Sequence, residues 1–332
     1  MVHLDVINVV MARSASTAFR KLHGLFAVYK PPGYDWRSVR DTVKIKLLKE
    51  LNSLKQRPPR QKIVFLPQAV EGSSGVELTK TATAVPVLAD HILVKGPDYT
   101  YLKIGVVHKL DIESSGVLVF GIGQGNRILP TFYESHCSKD YTVCGVFGKA
   151  SSDFSDAGKI IEKTTFDHIT RDKFERVLAM IQGSNQKALL MHSHIDLKSQ
   201  EAYDMAVQGQ LRPEVMTPPL VLGMRCVAFS PPDFTIEIQC MHETQKYLRK
   251  LVHEIGLELR SSAVCTKVRR TREGPFTLDC ALTNSHWNLD SISRAIEECR
   301  ERASELWMDS TDRSLESGDN QESLGNGEIR TP

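Results

Sequence analysis

The chain has 332 residues, 41% hydrophobic and 25% charged, and its formal net charge is only +2. That is enough apolar material for one large domain or two small ones, and the absence of any run of about 18 apolar residues excludes a helical membrane span. Seven cysteines (137, 144, 226, 240, 265, 280 and 299) form no C-x-x-C pair and mostly sit in apolar runs, as reduced core residues of a non-secretory compartment do. No zinc site is suggested. His242-Glu243 and His253-Glu254 begin an H-E-x-x-H pattern that neither completes, and His192 and His194 read as surface or core histidines.

In chain order, the first 21 residues carry Arg13, Arg20 and Lys21, the hydroxyls of Ser14, Ser16 and Thr17, one acid (Asp5) and an apolar component from Val6 to Met11. That make-up suits a mitochondrial presequence as well as a frayed or disordered arm. Leu25 to Tyr29 predicts a strand stopped by Pro31-Pro32-Gly33. Ser38 to Leu54 predicts a helix, because Val43, Leu47, Leu48, Leu51 and Leu54 recur at three- and four-residue spacing. From Arg37 to Lys62 nine Lys or Arg face only Asp41 and Glu50; the run is a solvated face or, given its single sign, a grip for a phosphate backbone. Residues 67 to 100 read as irregular loops.

Leu102, Ile104, Val106 and Val107 then approach a turn, and Val117-Leu118-Val119-Phe120 leaves it as a core strand. Asp111 lies on that turn, at the rim of a sheet. Asp followed by two serines and a glycine suits a plain turn, and a carboxylate at a costly position also suits a functional site. Gly121-Ile122-Gly123-Gln124-Gly125 precedes a helix beginning near Asn126, but the spacing is not G-x-G-x-x-G and no ribose-binding acid follows in the right place, so the glycines serve a tight strand-to-helix turn. Tyr141 to Phe147 predicts a strand, Ser151 to Gly158 a polar turn, Asp172 to Gln182 a helix, Ala202 to Val207 a short helix and Phe234 to Cys240 an alternating, half-buried strand.

The clearest helix is Gln245 to Leu259, with Leu248, Leu251, Val252, Ile255 and Leu259 on one stripe and Arg249 one residue off it. Eight basic residues lie between Lys246 and Arg272 against two acids, so charge is segregated rather than abundant. Leu289 to Trp307 can form a last helix, and from Asp309 onward the acidic, Ser/Gly-rich chain cannot bury enough to fold. Strands outnumber helices in the middle without a βαβ alternation, which predicts an α+β fold with a largely antiparallel sheet.

Three separated motifs, in the same order, are similar to those of the TruB family of pseudouridine synthases. They are Gly24-Leu25-Phe26-Ala27-Val28-Tyr29-Lys30-Pro31-Pro32-Gly33; the Asp111 stretch followed by Lys139-Asp140-Tyr141; and Lys246-Tyr247-Leu248-Arg249 with Val268-Arg269-Arg270-Thr271-Arg272-Glu273-Gly274-Pro275-Phe276. The chain departs from the family's G-H-x-G-x-L-D-P in reading Gly105-Val106-Val107-His108-Lys109-Leu110-Asp111-Ile112, closer to the H-R-L-D of a sister group. The resemblance covers about residues 22 to 283 and is strongest to the animal mitochondrial branch. It implies the pseudouridine synthase fold, a mixed and largely antiparallel sheet flanked by helices without a C-terminal PUA domain. Its domain plan is an arm over 1–21, the catalytic domain over 22–285, a helix over 286–308 and a disordered acidic tail over 309–332.

The resemblance assigns Asp111 as the catalytic carboxylate, acting on base or sugar. Arg249 is expected to pair with it, keeping it ionised and oriented, and Tyr141 to offer a ring to the extruded base and a hydroxyl near its C5. His108 is a candidate for displacing the base; Lys30 and Lys139 are structural or phosphate contacts; Tyr203, Lys246, Arg269 and Arg270 are candidate RNA contacts. The reaction breaks the C1′–N1 bond, turns the uracil and rejoins it through C5, and needs no metal or nucleotide cofactor. The expected substrate is structured RNA of the mitochondrial matrix, messenger RNA among the candidates, with other mitochondrial RNA-processing proteins as candidate partners. The rival readings are a non-catalytic RNA-binding or RNA-folding protein of the same fold and a nucleotide-dependent oxidoreductase.

Overall fold

The computed structural model describes residues 14–72, 75–192, 199–200 and 218–300. In chain order the elements are α1 (Ala15–Lys21), β1 (Gly24–Lys30), α2 (Trp36–Ser53), β2 (Gln61–Gly72), β3 (Gly75–Pro86), the short α3 (Ile92–Lys95), β4 (Ile104–Val106), β5 (Ser115–Ile122) and α4 (Gly125–Glu134). They continue as β6 (Lys139–Phe147), β7 (Lys149–Ser151), β8 (Ile160–Lys163), α5 (Arg171–His192), β9 (Leu220–Ser230), β10 (Asp233–Met241), α6 (Gln245–Glu258), β11 (Ala263–Glu273) and β12 (Phe276–Thr277). A last helix, α7, occupies 289–300.

One eight-stranded sheet in the order β1-β5-β11-β6-β10-β9, with β4 on β5 and β12 on β11, carries the fold. Every pairing is antiparallel except β5 with β11, which run parallel through Arg269 opposite Ser115 and Arg270 opposite Gly116. This is the mixed, largely antiparallel α+β sheet read from the sequence.

β5 is buried at all eight positions because both of its faces are covered. Leu118, Phe120 and Ile122 pack with Val39, Val43, Leu47 and Leu51 of α2 and with Ile292 and Ile296 of α7. Val117 and Val119 face Phe132 of α4 and Phe276. On the other half of the sheet, the stripe Leu248, Leu251, Val252, Ile255 and Leu259 packs with Phe174 and Leu178 of α5 onto Val143, Ile236 and Val268. Burial of large aliphatic side chains of this kind stabilises by roughly 1.5–3 kcal/mol each before chain entropy is set against it.

Two expectations change. Much of the stretch 67 to 100 is not irregular: β2 and β3 pair as a hairpin from Gln61 opposite Pro86 to Gly72 opposite Gly75. The hairpin is a separate two-stranded sheet, and Ile63 and Phe65 stay 72% and 67% exposed, so no inward face marks it in the sequence. Within the segment 1–21 read as a presequence or arm, Ala15–Lys21 is a helix whose Ala18 reaches the α2 core. The helix read at Ala202 to Val207 and the acidic tail from Asp309 lie outside the described residues. No helix among the described residues is long and apolar enough to cross a membrane.

Candidate active site

The loop from Val107 to Ser114 joins β4 to β5 and carries Asp111. Two buried cations clamp it. Arg270, on β11 beside Gly116, donates from Nε to Val117 O at 2.8 Å and from Nη2 to His108 O at 2.9 Å, gripping both stems of the loop. Gly116 has φ +116°, and a Cβ there would run into the Arg270 backbone, so this close strand approach needs glycine. Lys30, at the end of β1, donates from Nζ to Ile112 O at 3.1 Å, Ser114 O at 2.6 Å and Pro31 O at 3.2 Å. Burial lowers its pKa to about 8, partly offset by the nearby Asp111 charge.

So held, Asp111 Oδ1 accepts from Ser114 N at 2.9 Å, and Arg249 Nη2 lies 2.7 Å from Oδ2. Arg249 reaches it from the first turns of α6, whose N-cap Thr244 accepts from Tyr247 N. Burial would raise the Asp111 pKa, but the hydrogen bonding from Ser114 and the guanidinium outweigh it, and the carboxyl is held below the usual aspartate range. The pair borders an open cleft of about 730 Å³, lined also by Trp36, Lys109, Phe154 and Lys246. That volume lies within the range of small-ligand sites, about 300–1,000 Å³. Asp111 keeps 32% of its side chain exposed and Arg249 16%, so the carboxylate is both fixed and reachable.

Behind this pair lies a sealed ionic layer. Arg270 pairs with Glu273 at 3.0 Å with both side chains fully buried. His108 Nδ1 lies 2.8 Å from Glu273 Oε1, and its ring stacks on Tyr133. Burial pushes the Glu273 carboxyl up, but Arg270 and His108 hold it below its ordinary value. Lys139 and Tyr141 both converge on the buried Glu243, the lysine at 3.2 Å and the Tyr141 hydroxyl, a donor, at 2.6 Å. Burial, with Glu243 beside it, keeps the phenol pKa well above normal despite Arg270, so it stays protonated.

Among the residues singled out in the sequence, the structure brings Asp111, Arg249 and Lys246 together at the cleft. Arg270 is a correction, and for Lys30 and Lys139 the structural reading holds while the phosphate reading fails. As RNA contacts they would need to reach solvent, yet Lys30, Lys139 and Arg270 are 0%, 3% and 0% exposed and serve as internal clamps. Tyr141 is also 0% exposed and does not line the open cleft. His108 faces Glu273 rather than the opening. Arg269 lies over the Tyr29 ring at 5.5 Å, half-buried, and Tyr203 lies outside the described residues. Sequence reasoning missed Glu243 and Glu273. Glu243 was set aside with an incomplete metal pattern, and Glu273 follows a string of arginines that reads as surface. The turn from Ser151 to Gly158, read only as polar, forms a cleft wall through Ser152, Asp153 and Phe154. No group of three or more potential ligands among the described residues could hold a metal ion.

Comparison with known proteins gives the class first: residues 98–246 match the TruB family pseudouridylate synthase (N terminal domain). The chain is 62% identical over 324 residues to the mitochondrial pseudouridylate synthase TRUB2 of Xenopus tropicalis, covering 96% of this chain and all of that one. It is 57% identical to the human protein of the same name, covering 85% of each. Among solved structures, that of an H/ACA RNP bound to a substrate RNA containing 2′-deoxyuridine aligns with a TM-score of 0.44 at 16% identity, over 82% of this chain and 54% of that one. The chain belongs to the TruB family of pseudouridylate synthases, isomerases acting on RNA, in its mitochondrial branch.

Proposed function

We propose that Asp111 is the catalytic carboxylate of this pseudouridylate synthase and that its substrates are uridines in structured RNA of the mitochondrial matrix, messenger RNA included. The observation that carries the assignment is the Asp111–Arg249 pair at 2.7 Å on the border of an open cleft. A uridine turned out of its stack enters that cleft and meets an ionised oxygen already aimed by Arg249 and Ser114 N. The loop clamps keep that oxygen from moving, which is what an intramolecular rearrangement needs from its catalyst: position and charge rather than an added reagent. Tyr141, its hydroxyl fixed by Glu243, acts from within the buried layer of the sheet rather than as a wall of the cleft. Lys246 and the outer face of α2 hold phosphates at the mouth.

The test is to map pseudouridine at single-base resolution in mitochondrial RNA with and without the protein. The expected result is the loss of a small set of positions, messenger sites among them, restored by the native chain. An unchanged map would overturn the substrate assignment.

A further inference from the structure

We propose that Trp36, a residue with no part in the chemistry above, is the platform on which a nucleotide flanking the target uridine stacks, with Arg37, Arg40 and Lys109 holding the adjoining phosphates. The inference rests on the RNA substrate proposed above and adds where the chain beside the reacting base is gripped.

Trp36 is the first residue of α2 and lines the same cleft as Asp111. Three cations converge on its indole: the guanidinium carbons of Arg37 and Arg40 at 5.0 and 5.3 Å from the ring, and Lys109 Nζ at 5.4 Å. Each distance is inside the roughly 6 Å reach of a cation–π contact. Two of the cations are also balanced by acids, Arg37 by Asp35 at 3.2 Å and Arg40 by Asp41 at 2.9 Å. Lys109 has no carboxylate partner among the described residues, and it precedes Asp111 by two positions on the clamped loop.

Packing alone does not account for this cluster. Trp36 touches the α2 core at one side and remains half-buried, whereas Val39, Val43 and Leu47 complete the core stripe without it. Asp35 and Asp41 balance Arg37 and Arg40, which leaves Lys109 beside the ring without a carboxylate; a phosphate backbone supplies that missing anion next to flat bases. Single-stranded RNA recognition combines these two elements, an aromatic face for the base and cations for the phosphates on either side. Placed at the cleft mouth, the platform would hold the neighbouring nucleotide while the target turns inward.

The experiment uses the full chain and uracil-5-tritiated transcripts of mitochondrial genes, reading both equilibrium binding and tritium release. Trp36→Leu keeps an apolar side chain against the core and removes the stacking ring; it should raise Kd and KM about tenfold with kcat changed far less, and Trp36→Phe should recover most of the loss. Lys109→Met should reduce the slope of log Kd against log salt by about one phosphate contact. Trp36→Leu binding RNA as tightly as the native chain would overturn the proposal. If Trp36→Leu unfolds, the decision passes to RNA-induced quenching of fluorescence, which must be present in the native protein and absent in Trp36→Phe; equal quenching in both overturns it. A native chain that binds RNA but releases no tritium sinks the catalytic reading alone, because the binding arms are independent of turnover.

Discussion

Two arginine–carboxylate pairs flank one loop and live under opposite conditions. Arg270 and Glu273 are fully buried and joined to the loop stems and to His108. Arg249 and Asp111 meet at the edge of an open cleft, with a third of the aspartate side chain still exposed. A sealed ion pair has no access to a substrate, and its desolvation cost is tolerated because it fixes geometry. A half-open pair gives up part of its mutual attraction to solvent and gains reach. The difference separates scaffold from reach: the inner pair shapes the loop, and the outer pair is the one a substrate can meet.

Breaking the inner pair should produce the largest effect. Arg270→Met leaves Glu273 charged in a sealed interior and frees both loop stems, so it should cost about 3–5 kcal/mol in chemical denaturation. A loss below about 1 kcal/mol would mean the inner pair is not the scaffold described.

Arg249→Gln, by contrast, should leave stability within about 1 kcal/mol, since its partner can be solvated, and lower turnover about a hundredfold through a misaligned carboxylate. The same variant sharpens the electrostatic side of the contrast. The guanidinium helps hold the Asp111 pKa down while burial pushes it up, so removing it leaves burial less opposed and the acid limb of kcat/KM should move to higher pH. A shift to lower pH would contradict the pairing.

Lys30→Met tests the second clamp. It removes one buried charge but strands three carbonyls, for a net loss of about 2 kcal/mol at neutral pH. Its pH signature has a definite sign. With the folded pKa near 8 and the unfolded value near 10.5, the unfolded chain binds more protons between them, so native stability gains with rising pH across that window. Lys30→Met should lack this gain, which paired denaturation curves at pH 7.5 and 10 would detect. On turnover, a smaller effect than that of Arg249→Gln belongs to Glu243→Gln, which keeps an acceptor for Tyr141 but leaves the buried Lys139 without its charge partner; it should lower stability measurably and reduce turnover about threefold to tenfold with RNA affinity unchanged.

How much of this could be read in the sequence depends on where the periodicity was clean. β5 was legible as an unbroken apolar run and α6 as a five-residue stripe, because each buries a continuous face. The β2–β3 hairpin was not, since its exposed Ile63 and Phe65 have no core to face. Arg270 was misassigned to the RNA surface, and Lys139 was left open between a structural and a phosphate contact, because their charge was counted and their register was not. On β11, Val268 and Arg270 are buried while Arg269 and Thr271 are only half-buried; on β6, Lys139, Tyr141 and Val143 share the inward face. Counting by twos from Val268 or Val143 would have placed both cations inside. The meeting of Asp111 with Arg249, 138 positions apart, had no local signal and came only through the family resemblance.

In the proposed function the carboxylate of Asp111 does the chemistry while the rest of the site holds RNA and geometry. Asp111→Asn keeps the side-chain shape and removes the charge, so the deciding measurement is tritium release from uracil-5-labelled RNA alongside the Kd for the same RNA. Release at background with Kd within about twofold of the native chain is the predicted result. Turnover close to native in Asp111→Asn would contradict it.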